Sequence, residues 1–112
     1  MTKVTIKKTR DGEYLSFTCA GHAGYNKRHA TDKDIVCAAV SVLVINTLNS
    51  LEEFTDTNMQ VGQDAEEGII CCQFTDSLSD KAKVLLDAMV LGLNCISKQY
   101  GSRFCKLKFE EV

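Results

Sequence analysis

Six cysteines and two histidines in a chain of 112 residues leave few places for thiol–imidazole chemistry. His22 lies in the run Gly21-His22-Ala23-Gly24, where flanking glycines mark a tight backbone path at a strand end. Cys37 falls near the start of a long apolar segment that reads as a helix. A cysteine in a first helical turn sits among unpaired N–H groups at the positive end of the macrodipole, which stabilises a thiolate. A neighbouring imidazole stabilises it further and can protonate the departing amine once the thiolate has attacked a peptide carbonyl. The same amides can bind the oxyanion of the intermediate. His22 and Cys37 therefore suit a Cys–His dyad, and spacing alone leaves open a core cysteine with a turn histidine bonded to backbone.

Asp34 and Ser41 lie three residues before and four after Cys37, which puts all three on one helix face. Asp34 can cap the helix or orient His22, and Ser41 can support the site or bond back to its own helix. Cys19, His22, His29 and Cys37 are all zinc-ligating types, but their spacing matches no common structural zinc module, so neither a metal nor another cofactor is expected. No CxxC pair supplies a resolving partner for Cys37. The other five cysteines read as core or sheet residues.

These side chains need a scaffold, and the hydropathy pattern supplies one. Val4 and Ile6 alternate with Lys3, Thr5 and Lys7; Leu15, Phe17 and Cys19 form a second alternating run, with Asp11-Gly12 as the hairpin turn between them. Residues 25–33 read as a loop. A helix is expected from Asp34 to about Phe54, apolar on nearly every side up to Ile45 and therefore central, with Thr31, Asp32 or Asp34 as its cap. Asn58 to Val61 and Ile69 to Phe74 form a second hairpin. A second helix follows, with Ser77 and Asp80 resembling a capping box and Gly101 as its stop. Arg103 to Phe109 is the last strand. The order ββαββαβ gives an α+β two-layer sandwich, a mixed sheet of about five strands with two helices on one face. Faces carrying Phe17 with Phe74 or Phe104 are candidate homodimer surfaces.

Composition bounds the function classes. An apolar fraction of 45% and the absence of proline exclude disorder and low complexity, and residues 1–112 are expected to form a single domain. A net charge of −2 argues against direct nucleic-acid binding, although residues 1–34 hold seven basic and four acidic side chains. MTKVTIKKTRDG is no signal peptide, so a cytoplasmic location is expected. The longest apolar stretch, Ile35 to Ile45, is shorter than the roughly 20 residues that span a bilayer, so no membrane partner is expected.

The segments GHAGY, Gly21 to Tyr25, and DIVCAAVSVL, Asp34 to Leu43, resemble the paired signatures of the ribosomal-processing cysteine proteases, the Prp family. The resemblance extends in element order over nearly the whole chain. It implies a homodimeric cysteine endopeptidase that removes a short N-terminal extension from large-ribosomal-subunit protein twenty-seven. By motif position it implies His22 and Cys37 as the dyad, with Gly21, Asp34 and Ser41 in support, and a mobile flap between the motifs. The chain departs from the pattern there: Asp32 stands where relatives carry glycine, and the His-to-Cys spacing is longer. The competing class is a non-catalytic ribosome-associated or regulatory dimer that keeps the fold.

Overall fold

In a computed structural model, which describes residues 2–21, 32–64 and 66–112, the chain follows the expected ββαββαβ order. The strands are β1 (Thr2–Lys8), β2 (Tyr14–Ala20), β3 (Met59–Asp64), β4 (Ile69–Phe74) and β5 (Cys105–Glu111); the helices are α1 (Asp32–Phe54) and α2 (Asp80–Tyr100). The sheet order is β3-β4-β2-β1-β5, with β1 and β5 parallel and every other pair antiparallel. This is the α+β two-layer sandwich that the pattern predicts.

Strand alternation decides which side chains meet the helices. Thr2, Val4 and Ile6 of β1 line the helix side, joined in register by Cys105 and Leu107 of β5 and by Phe17 and Cys19 of β2. Lys3, Lys7, Lys106 and Lys108 take the opposite side. One expectation fails at the hairpin. Ser16 pairs with Lys7 but Tyr14 pairs with Lys8, so a bulge skips Leu15 and puts Tyr14 into the core in its place. Phe17 is 1% exposed and packs against Phe74 with ring centroids 6.2 Å apart, while Phe104 packs against the same core. Phe17 is thus interior and faces the helices, whereas Phe74 and Phe104 are only partly buried against that core.

α1 is also less enclosed than its composition predicts. Val36, Val40, Val44, Leu48 and Leu51 are buried against the sheet, but Val42 is 69% exposed, and Ile35 and Ile45 are also exposed. Over Ile35–Phe54 this helix is long and apolar enough to cross a membrane by length and composition alone, yet its inner stripe is spent on the core. It lies close to α2 because Gly92 has no side chain: a Cβ there would stand 2.7 Å from Leu43 Cδ2. Beside that contact, Ala38, Ala39, Val42, Leu43, Asn46, Gly92 and Ile96 line an open trough of about 590 Å³.

α2 follows a plain amphipathic pattern, burying Ala82, Leu86, Met89 and Leu93. Its cap is Ser79 rather than Ser77, because the Ser79 side chain accepts from Ala82 N at 3.2 Å. Gly101 ends it as expected, its N–H donating to Ser97 O. β5 begins two residues later than the alternation suggests, at Cys105. Tyr14 fastens the hairpin end of the sheet to α2, its hydroxyl donating to Asp87 Oδ1 at 2.5 Å, and Lys83 bridges to Glu13 at 2.9 Å beside it. Burial, and then the Asp87 carboxylate, push the Tyr14 phenol well above its usual range.

Candidate active site

The other end of β2 leads to Cys37. β2 closes at Ala20, and Gly21 then turns with φ +86°, a left-handed conformation that a side chain would strain. The turn aims the Gly21 carbonyl at α1. There the Cys37 thiol donates to Gly21 O, with sulfur and oxygen 3.3 Å apart. From the sheet floor, the Thr2 hydroxyl donates to Cys37 Sγ at 3.2 Å. The sulfur is thus held between the first residue of the GHA motif and the first residue of β1.

Cys37 is 4% exposed and Thr2 2%. Cys105, the register partner of Thr2, and Cys19, the partner of Val4, lie in the same layer. Burial first, and then the neighbouring Cys37 and Cys105, push the Cys19 thiol up to about 11. Burial raises Cys105 as well. Both remain neutral thiols at physiological pH, so they offer Cys37 neither a counter-charge nor a competing thiolate.

The helix start departs from expectation in a way that bears on chemistry. α1 begins at Asp32, so Asp34 lies within the first turn instead of capping it, and Cys37 lies in the second turn. The N–H groups without intrahelical partners are those of the first four helical residues, so the Cys37 amide belongs to the helix ladder. The first-turn amides expected around the sulfur therefore lie before it. Ser41, 7% exposed, donates its hydroxyl to Cys37 O at 2.7 Å, the back-bond to its own helix that the spacing allowed.

Of the residues singled out by sequence, Gly21, Cys37 and Ser41 come together. His22 and His29 lie outside the described residues, as do the loop between the motifs and the Asp34 side chain. Among the described residues no cluster of His, Cys, Asp or Glu is arranged to hold a metal ion. Cys95 is exposed on α2, unlike the buried residue expected of it. Sequence reasoning missed Thr2. Its signal is a hydroxyl at the helix-facing parity of a strand whose next two such positions are Val4 and Ile6.

Comparison with known proteins matches this chain to a family. The family model of the cysteine protease Prp matches residues 1–104. The ribosomal processing cysteine protease Prp of Bacillus subtilis is 28% identical over 106 residues, covering 89% of this chain and 90% of the relative. The crystal structure of the essential ribosomal processing protease Prp from S. aureus in complex with a substrate peptide superposes with a TM-score of 0.86 at 23% identity, over 98% of this chain and 100% of that one. The same protease in complex with a covalently linked product peptide gives 0.85 at 24% identity, with the same coverage.

Proposed function

Because this chain belongs to the ribosomal-processing cysteine protease family Prp and is a cysteine protease, we propose that Cys37 is its nucleophile and His22 its proton partner. The substrate we infer is the N-terminal extension of large-ribosomal-subunit protein twenty-seven, cut in the cytoplasm. The observation that carries this reading is the bond from Cys37 Sγ to Gly21 O, which joins the cysteine of one motif to the residue that precedes the histidine of the other. The S. aureus relative captured with a covalently linked product peptide supports nucleophilic catalysis in the family.

The reaction balances with these groups alone. The Cys37 thiol gives its proton to His22, and the sulfur attacks the scissile carbonyl. The tetrahedral intermediate expels the amine, which takes the proton from His22 and leaves a thioester on Cys37. Water, deprotonated by His22, then cleaves the thioester, releasing the carboxylic product and restoring the thiol. Asp34 lies in the first turn of α1, the end of a helix at which an acidic residue is favourable. Ser41 ties the Cys37 carbonyl into the helix and so steadies the backbone that carries the sulfur.

We also infer a homodimer. The outer face of α1 carries Ile35, Ala38, Val42 and Ile45 with no charge among them, beside the apolar trough shared with α2. Two-fold packing sets such a patch against its own copy. Val42→Asp should convert a two-chain mass in sedimentation to a one-chain mass; an unchanged mass would rule out this face.

The cleavage reading is tested with a peptide copied from the extended N-terminus of the host ribosomal protein, followed by mass spectrometry. A single cut by the wild-type protein is expected, with none by Cys37→Ala or His22→Ala. A cut that survives in pure Cys37→Ala would overturn the nucleophile assignment, and an intact peptide with wild type would favour a non-catalytic dimer.

A further inference from the structure

We propose that Thr2 is a further catalytic residue: its hydroxyl holds the Cys37 sulfur and stabilises it as the attacking thiolate. The proposal rests on Cys37 being the nucleophile. Its basis is the contact between Thr2 Oγ1 and Cys37 Sγ at 3.2 Å, made across two elements 35 positions apart.

The position of Thr2 in the strand makes this contact informative. The first three helix-facing positions of β1 are Thr2, Val4 and Ile6, at most 2% exposed. Valine has the shape of threonine and would fill the first position as its neighbours fill theirs. A hydroxyl buried in such a row is unfavourable unless it is bonded. This one donates to the sulfur on which the chemistry turns. Its backbone is fixed independently, since Thr2 N donates to Phe104 O at 3.0 Å and the residue pairs with Cys105. The hydroxyl is thus presented to α1 from a clamped strand.

The bonds that the sulfur makes to Gly21 and Thr2 respond differently to loss of the proton. In the resting thiol, S–H donates to Gly21 O while a sulfur lone pair accepts from Thr2. When the proton passes to the base, the Gly21 carbonyl loses its donor and faces a negative sulfur. The Thr2 hydroxyl keeps its proton and goes on donating, now to a charged acceptor, where such a bond is about twice as strong. Once the thioester has formed, the sulfur is neutral and the bond weakens again. Thr2 therefore favours the one state in which the sulfur attacks, and neither gains nor loses a proton itself.

The test compares wild type with Thr2→Val and Thr2→Ser. Three quantities are read: the rate of Cys37 alkylation by iodoacetamide at neutral pH, resolved by site in the mass spectrometer; kcat and KM on the extension peptide; and the melting temperature. Thr2→Val should slow both Cys37 alkylation and kcat roughly ten- to a hundredfold, the worth of one hydrogen bond to a charged group. KM should hold, and Thr2→Ser should recover most of both losses. If Thr2→Val does not fold, Thr2→Ala removes the same hydroxyl and is read in the same way. Alkylation and kcat within about twofold of wild type in a folded Thr2→Val would overturn the proposal, as would failure of a folded Thr2→Ser to recover. Failure of the underlying reading looks different: Cys37→Ala would still cut the peptide, whatever Thr2 does.

Discussion

β2 is tied to a helix at each of its ends, and the two ties are of opposite kinds. At its start, the Tyr14 hydroxyl donates to a carboxylate of α2 at 2.5 Å, a short charge-assisted bond with a lysine–glutamate bridge beside it. Past its end, α1 is reached through sulfur, with contacts of 3.2 and 3.3 Å to Thr2 and Gly21. The two ends are about 20 Å apart along the strand. Bonds to a thiol are weak and readily exchanged, and those to a phenol–carboxylate pair are not. The molecule is thus fastened at the hairpin and held lightly at the sulfur proposed to attack the substrate. Stability and turnover should accordingly separate along the length of one strand.

The sharpest way to break this division is Cys37→Ser, which keeps a hydrogen-bonding group of similar size. Turnover on the extension peptide should fall by at least about a thousandfold, while chemical denaturation should register a change under about 1.5 kcal/mol. A large loss of stability would mean that the thiol end is structural after all. The mirror experiment is Tyr14→Phe. Loss of a hydrogen bond to a charged group should cost about 1.5–3 kcal/mol in denaturant unfolding, with kcat within twofold of wild type. A collapse of kcat in a folded Tyr14→Phe would show the two ends to be coupled.

The smallest effect near neutrality comes from the buried thiols. Cys19 is pushed up to about 11, and Cys72 to about 12 by burial and by Cys71, from an ordinary value of 9.0. Because their folded values are raised, the unfolded chain releases these protons first as pH rises, and stability falls. The contribution is fully present below about pH 9 and disappears as pH climbs through 11 to 12. Melting temperatures should therefore be flat from pH 7 to 8.5 and decline beyond it. Cys19→Ala should make the decline shallower, and an unaltered slope would show that other groups govern it.

Much of this architecture is legible in the residues themselves. Alternation marks the strands; Gly21 and Cys37 mark the two sides of the sulfur contact; Cys37 and Ser41 are four apart, as a helical back-bond requires. What escapes notice depends on tertiary pairing. Leu15 and Tyr14 are both apolar enough to face inward, and only the register against Lys7 and Lys8 decides between them. Val42 looks as interior as Val40 until the helix has a definite side against the sheet. Ser77 and Ser79 both offer a capping oxygen, and the one that caps is the one that reaches Ala82 N. Thr2 is hidden for a related reason: a threonine opening a strand is an ordinary strand former, and its partner lies on another element.

The parallel pairing of β1 with β5 bears on the order in which this protein is made. β1 emerges from the ribosome before its parallel partner, and one of its edges is left open until Cys105–Glu111 follows. The Thr2 amide has its partner in Phe104, and the Thr2 row is closed by Cys105. A nascent chain halted before β5 would have its cysteine, its glycine turn and β1 paired with β2, but nothing to clamp Thr2 beneath the sulfur. Contacts spanning nearly the whole chain form late and slowly. The surroundings of the Cys37 sulfur are thus completed only once β5 has been synthesised.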